Sequence, residues 1–68
     1  MKKYSIERTE EMFLRICDGE DIDINRVAKR LDYDLLAQHE DVGFFYAVLE
    51  EYGADQKYLV KLVNKIKA

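Results

Sequence analysis

Residues 42–52 read VGFFYAVLEEY, an apolar and aromatic segment that is followed directly by Gly53. A short apolar run of this kind is compatible with either a buried strand or a buried helix. A strand would need partner strands, however, and the only other extended candidate in the chain is residues 21–24. Because two strands rarely form a stable sheet alone, the segment is predicted to be an α-helix, with Asp41 as N-cap and Gly53 just beyond its end.

The predicted helix over residues 42–52 has a wide apolar face. With successive residues placed about 100° apart around the axis, the apolar side chains fill an arc of about 200°, roughly twice what packing on one side of a small core requires. Either the helix is central and enclosed, or Phe44 and Tyr46 at the margins of the arc remain partly exposed. Exposed aromatic side chains rimmed by acids suit a protein partner or a two-fold self-contact. The residues predicted to form this interface are Phe44, Tyr46, Val48 and Glu51.

The flanking sequence predicts further helices, most of them bounded by a capping residue or a glycine. They are residues 6–18 after Ser5 and before Gly19, a short helix after Asp23, residues 33–39, and residues 56–67 after Asp55. Residues 33–39 and 42–52 are also compatible with one helix kinked at Gly43, and the sequence leaves the two alternatives open.

The length and composition predict one domain. Sixty-eight residues, of which 49% are hydrophobic, suffice for a single small core and exclude a second one. Residues 1–68 are therefore predicted to form an all-α domain, a compact bundle of four or five short helices. Its predicted core consists of Ile6, Phe13, Ile16, Val27, Leu31, Leu35, Phe45, Leu49, Leu59, Leu62 and Ile66.

The polar side chains offer little for catalysis. Nucleophilic catalysis needs a nucleophile, a base and an orienting group held together, and the candidates are Cys17, Ser5, Thr9 and His39. Cys17 falls in helical register with Phe13, which predicts a buried thiol in a position where a thiolate is poorly solvated. We therefore predict a protein that is not an enzyme, with an unreactive Cys17 and no small-molecule substrate.

His39, Glu40 and Asp41 are consecutive potential metal ligands. Adjacent helical residues do not share a face, and the chain holds no second histidine to complete a site. The acidic stretch over residues 18–23 does not fit a calcium loop, because apolar and basic residues occupy positions that need oxygen ligands. No metal or cofactor is predicted, and His39 is interpreted as a helix-terminal residue beside the capping Asp41.

Residues 24–41 suggest a second hypothesis. Val27, Ala28 and Leu31, followed by Tyr33, place an alanine between apolar positions and ahead of a turn. This pattern resembles the first half of a helix-turn-helix DNA-binding unit, and the resemblance implies a DNA-binding regulator that uses residues 24–41.

The sequence departs from that pattern after the turn. Asp32 stands where the family usually has glycine, and Gln38 and Asp41 stand where its second helix needs apolar residues. The would-be reading helix also carries no Lys or Arg, and neutralisation of phosphates supplies most non-specific affinity for DNA. Specific binding to duplex DNA is therefore not expected.

Charge is distributed unevenly along the chain. Residues 1–30 are neutral overall, residues 31–56 hold seven acids and no base, and residues 57–68 hold four lysines and no acid, which gives the total of −3. A spacing of four residues places three of those lysines in one stripe on the last helix: Lys57, Lys61 and Lys65. The stripe is either a strip that binds phosphates or acids, or a solvated face that complements the acidic middle of the chain.

These observations predict a small intracellular interaction or regulatory module. The module would bind a protein partner or itself through the aromatic helix, and the helix-turn-helix-like DNA-binding regulator is the alternative. No signal peptide and no apolar stretch of about 18 residues is present, so no membrane association is expected. A single cysteine adds to the prediction of a reducing, cytoplasmic location.

Overall fold

Five α-helices form the fold in the computed structural model, which describes residues 2–68. They are α1 (Ile6–Cys17), α2 (Ile24–Ala28), α3 (Tyr33–Gln38), α4 (Val42–Glu51) and α5 (Gln56–Lys67). No strand occurs over these residues. The predicted all-α fold class is confirmed.

Capping residues explain where three of the helices begin. The Ser5 hydroxyl accepts a hydrogen bond from the Arg8 amide at 3.1 Å, and the Asp23 carboxylate accepts one from the Asn25 amide at 3.0 Å. Both caps were expected from the sequence. Asp32 caps α3 in the same way, accepting from an amide three residues further on. Each bond satisfies an amide that has no partner within its helix.

Asp41 and Asp55 occupy N-cap positions, but neither carboxylate makes a capping hydrogen bond, which corrects the predicted role of both side chains. Their backbone amides are used instead. The Asp41 amide donates to His39 Nδ1 at 3.0 Å, and the Asp55 amide donates to Asn25 Oδ1 at 2.7 Å. The first bond closes the turn before α4, and the second ties the start of α5 to α2.

α3 and α4 are separate helices, which settles the alternative that the sequence left open. The helical path ends at His39, whose backbone is extended with ψ at 146°. Gly43 lies within α4 and does not mark the break. α4 ends at Glu51, one residue earlier than expected, and Gly53 follows with a φ of 78°.

Replacing Gly43 and Gly53 by alanine is expected to shift stability in opposite directions. An added Cβ at Gly43 meets nothing within 4 Å, and the helical backbone suits alanine, so Gly43→Ala should raise the free energy of unfolding by about 0.4–1 kcal/mol. Gly53→Ala should lower it by about 1–2 kcal/mol, because a side chain is strained at this positive φ. Urea unfolding of both variants measures the difference, and a stabilised Gly53→Ala would contradict the turn geometry.

The core gathers around α4. Phe45 and Leu49 are fully enclosed, and the Phe45 ring packs edge-on against Phe13 with centroids 5.7 Å apart. Most of the predicted core is confirmed by burial: Phe13, Ile16, Val27, Leu31, Phe45, Leu49, Leu59 and Leu62. The core also takes in residues outside that predicted list: Thr9, Met12, Ile24, Ala28, Tyr33, Leu36, Val48, Ala54 and Tyr58.

Three predicted core residues are not buried. Ile6 is half-buried at the start of α1. Leu35 is exposed because Tyr33 and Leu36, three residues apart, set the buried side of the short helix α3 and turn Leu35 outward. Ile66 is exposed because the last turn of α5 projects beyond the layer that it packs against, and residues 64–68 are all exposed.

Cys17 is exposed, so the prediction of a buried thiol is wrong. The buried side of α1 is centred on Thr9, Met12, Phe13 and Ile16, which leaves Cys17 at its margin. Thr9 is fully enclosed because its hydroxyl donates to the Ser5 carbonyl oxygen at 2.8 Å, so its burial leaves no polar atom unsatisfied. The hydrophobic pattern of the sequence alone places the buried side of α1 too close to Cys17.

Alkaline pH is expected to destabilise the fold through Tyr33. Its hydroxyl donates to the Ala28 carbonyl oxygen at 2.7 Å in the core, and burial raises the pKa of Tyr33 above its ordinary value. The unfolded chain releases this proton near pH 10 and the folded chain holds it. Stability is therefore complete below about pH 10 and falls as the pH rises above it. Tyr33→Phe should cost about 1 kcal/mol at pH 7 and flatten this decline.

Urea unfolding between pH 8 and pH 11 measures this effect. An equally steep alkaline decline in Tyr33→Phe would assign the decline to other groups.

Candidate protein-binding surface

Apolar side chains lie exposed along the line where α1 meets α4. Phe44 is 39% exposed, Tyr52 is 43% exposed and Leu14 is 57% exposed. A shallow, open cleft lies beside them, lined by Cys17, Phe44, Ala47, Val48, Glu51 and Tyr52. We call this surface the α1–α4 face and define it by Leu14, Cys17, Phe44, Ala47 and Tyr52.

The two helices place these residues through their spacing. On α1, Leu14 and Cys17 are three residues apart and therefore share a side of the helix. On α4, Phe44 and Ala47 line the cleft together with the C-cap Tyr52. Phe13 joins the two helices, because its ring lies 6.4 Å from the Phe44 ring, centroid to centroid. The core therefore supports the α1–α4 face from below.

Aromatic packing holds Phe44 in place. Its ring lies 5.9 Å from the Phe45 ring, and that ring in turn lies 5.6 Å from the His39 imidazole. A side chain that is fixed before binding loses little conformational entropy when it is buried by a partner. Phe44 is therefore an exposed aromatic side chain with a preorganised position.

The predicted interface residues occupy different environments. Phe44 and Glu51 are exposed, as an interface requires. Tyr46 is half-buried against the core and lies about 200° around α4 from Phe44, on the other side of the helix. Val48 is only 4% exposed and forms the floor of the cleft, so its assignment to the exposed surface is corrected. The alternative of a fully enclosed α4 is excluded by the exposure of Phe44.

Sequence reasoning missed the contribution of α1 to this surface. The sequence predicts a buried Cys17 and does not place Leu14 or Tyr52 among the interface residues. A large apolar residue at the margin of a helix, such as Leu14, can indicate an exposed surface. This inference requires knowing which helix packs beside it.

Acidic groups surround the Tyr52 end of the face. The nearby Cys17 thiol raises the pKa of the Tyr52 hydroxyl, and the negative charges of Glu51 and Asp18 act in the same direction. Tyr52 is therefore neutral at physiological pH and presents a hydrogen-bonding group beside an apolar surface. The rim of the face carries negative charge.

The lysine stripe faces groups of its own fold. Lys65 Nζ lies 3.0 Å from Asp34 Oδ1, and the Lys61 ammonium lies 5.1 Å from the centroid of the Tyr33 ring. The Lys57 ammonium lies 5.3 Å from the centroid of the Tyr58 ring. These contacts favour a stripe that complements the acidic middle of the chain over a strip that binds an external anion.

Residues 24–41 form two short helices joined by a turn, but their charges do not suit DNA. Tyr33 and Leu36 anchor α3 in the core. The opposite side of α3 exposes Asp34, Leu35 and Gln38, and Asp34 already pairs with Lys65. A helix of six residues with no cation offers a duplex little attraction.

One group of potential metal ligands comes together within the described residues. Glu10 of α1 lies beside His39 and Asp41, and the three side chains each offer a ligand atom within 4.8 Å of the others. Glu40, which adjoins both residues in sequence, is exposed and does not belong to the group. Glu10 could not be associated with His39 from the sequence, because 28 positions separate them.

The helices are not of the kind that crosses a bilayer: over residues 2–68, none combines the length and apolar character needed to do so. No family model matches the chain, and no curated protein or solved structure is significantly similar to it. The geometry of the fold is therefore the basis for a functional proposal.

Proposed function

We propose that this chain is a non-catalytic interaction module that binds a protein partner through the α1–α4 face. The observation that carries the proposal is the exposure of Phe44 and Tyr52 beside one cleft, with Leu14 exposed three residues before Cys17 on α1. Aromatic side chains held in this way are typical anchors of protein interfaces. Burying these side chains within the domain would stabilise it, yet they remain partly exposed.

The magnitude of the available burial favours a partner that also contacts the rim. Burying one large apolar side chain contributes about 1.5–3 kcal/mol. Phe44, Tyr52 and Leu14 are already about half buried, so the area that a partner can still cover contributes on the order of 2–4 kcal/mol, whereas association itself costs about 4–15 kcal/mol. The face therefore needs additional contacts around it to form a stable complex.

The charge of the rim favours a basic partner over a second copy of the chain. Glu51 lines the cleft, and Asp18 and Glu51 lie close enough to Tyr52 to affect its ionisation. A two-fold contact through this face would bring the acids of both copies together, and like charges across an interface oppose binding. The proposed partner is a protein segment with apolar anchors flanked by Lys or Arg.

Phe44→Ser is expected to weaken association with the partner by about 10- to 100-fold while leaving the domain folded. The matched control is Val60→Ser, since Val60 is 47% exposed on α5 and lies outside the α1–α4 face. Proteins captured by the wild type are identified and purified, and their affinity is measured for all three forms. Equal affinity of the wild type and Phe44→Ser would overturn the proposal.

Two further readings complete the test. Sedimentation of the wild type alone should show a monomer. If it shows a dimer that Phe44→Ser abolishes, the α1–α4 face binds a second copy of the chain and not a basic partner. Cys17 should react readily with a thiol reagent in the free protein, because its side chain is exposed, and it should be protected in the complex. Unchanged labelling in the complex would place the partner elsewhere.

The proposed setting is the cytoplasm. An exposed single thiol such as Cys17 remains reduced there, whereas an oxidising compartment would convert it to intermolecular disulfides. The exposed thiol beside Phe44 would then block the face that the proposal requires.

A further inference from the structure

We propose that Glu10, His39 and Asp41 bind a divalent transition-metal ion of the zinc class. This inference is independent of the proposed protein-binding function, because none of these residues belongs to the α1–α4 face. The ligands come from two parts of the fold, α1 and the turn between α3 and α4.

The spacing of the three side chains suits one ion. Because their ligand atoms lie within 4.8 Å of one another, an ion at the centre of the triangle lies within about 2.8 Å of each. Zinc binds imidazole nitrogen and carboxylate oxygen at about 2.0–2.2 Å. The ligands therefore need to move inward by less than about 1 Å, which rotation of partly exposed side chains supplies.

The carboxylates of this group have few other partners. Over residues 2–68, neither Glu10 nor Asp41 accepts a hydrogen bond through its carboxylate, and the Asp41 carboxylate makes no helix cap. Asp41 Oδ2 lies 3.8 Å from His39 Nδ1, and no Lys or Arg forms an ion pair with either carboxylate over residues 2–68. Metal binding therefore breaks no strong ion pair.

His39 is held by its neighbours close to the Asp41 turn. Its ring packs against Phe45, and its Nδ1 accepts a hydrogen bond from the Asp41 amide at 3.0 Å, which shows that the lone pair of this nitrogen faces the Asp41 turn. Coordination through Nδ1 exchanges this single hydrogen bond for a metal bond. The imidazole also distinguishes the group from a simple acidic cluster, because nitrogen ligands favour zinc and its neighbours over calcium and magnesium.

Charge favours a cation here. The two carboxylates carry two negative charges, which a divalent ion neutralises. The surrounding segment, residues 31–56, holds seven acids and no base. Its field attracts cations to this part of the surface.

Calorimetric titration of the untagged full-length protein with zinc chloride at pH 7 tests the proposal. We expect one ion per chain with a dissociation constant below about 100 µM. Glu10→Gln, His39→Asn and Asp41→Asn should each weaken binding by at least about tenfold. Asparagine can still occupy an N-cap position, so Asp41→Asn should keep the helix boundary.

Glu40→Gln is the matched control, because Glu40 adjoins two of the ligands and lies outside the group. Cys17→Ser should also bind zinc as the wild type does, which separates the site from the exposed thiol. The chain has one histidine, so its imidazole nitrogen signals in nuclear magnetic resonance report on the site directly and should shift as zinc is added. Binding weaker than about 1 mM, or binding that survives Glu10→Gln and Asp41→Asn, would overturn the proposal.

Discussion

Phe45→Ala is expected to lower the free energy of unfolding by about 3–5 kcal/mol. The Phe45 side chain is fully enclosed, and its ring contacts the rings of Phe13, Phe44 and His39 from three directions. Truncation removes its buried area and leaves a cavity, because the surrounding structure relaxes only partly. A domain of this size has a total stability of only about 3–10 kcal/mol, so the variant should be largely unfolded or close to it.

The neighbouring residue provides the control for Phe45→Ala. Phe44 is 39% exposed, so Phe44→Ala removes less buried area and should cost less, about 2–3 kcal/mol. Circular dichroism at 222 nm during urea unfolding compares the two variants with the wild type. Equal losses of stability in the two variants would show that Phe44 is buried as deeply as Phe45.

Leu36→Ala is expected to destabilise the domain by about 2–5 kcal/mol. Leu36 is 1% exposed and anchors the short helix α3 in the core, together with Tyr33. A helix of six residues has little stability of its own, so it depends on these contacts. Loss of Leu36 should therefore weaken the packing of α3 against α5 as well as leave a cavity.

Leu35→Ala is the control for Leu36→Ala, because it removes the same kind of side chain from an exposed position. Leu35 adjoins Leu36 on the same helix but is 45% exposed, so its replacement should change the free energy of unfolding by less than about 1 kcal/mol. Thermal and urea unfolding of both variants give the comparison. A larger loss for Leu35 than for Leu36 would mean that α3 is rotated about its axis.

The positions of the helices could be predicted from local chemistry. Ser5 and Asp23 act as the caps that their residue types favour, and Gly53 lies just past α4 with a positive φ. What could not be predicted is the rotation of each helix about its axis. In α1, Thr9 lies in the core through its hydrogen bond to a backbone carbonyl, and this shifts the buried side away from Cys17.

The candidate surface was predicted in part. The width of the apolar arc on α4 left two alternatives, an enclosed helix or partly exposed Phe44 and Tyr46, and the structure shows an exposed Phe44. The contribution of α1 depends on which helix packs beside α4, and a pattern within one helix does not contain that information. The approach of Glu10 to His39 depends on the same packing, so the metal-ligand group could not be found from the sequence either.

Phe44 and Phe45 are adjacent in sequence but differ in burial, and this difference affects how the domain can change during evolution. Phe44 lies partly exposed and Phe45 fills the core, so a substitution at position 44 would alter the proposed binding surface at a smaller cost to stability than one at position 45. Position 45 has no such freedom. New binding preferences can therefore arise by single substitutions on the outer side of α4, while the fold that presents them is inherited unchanged.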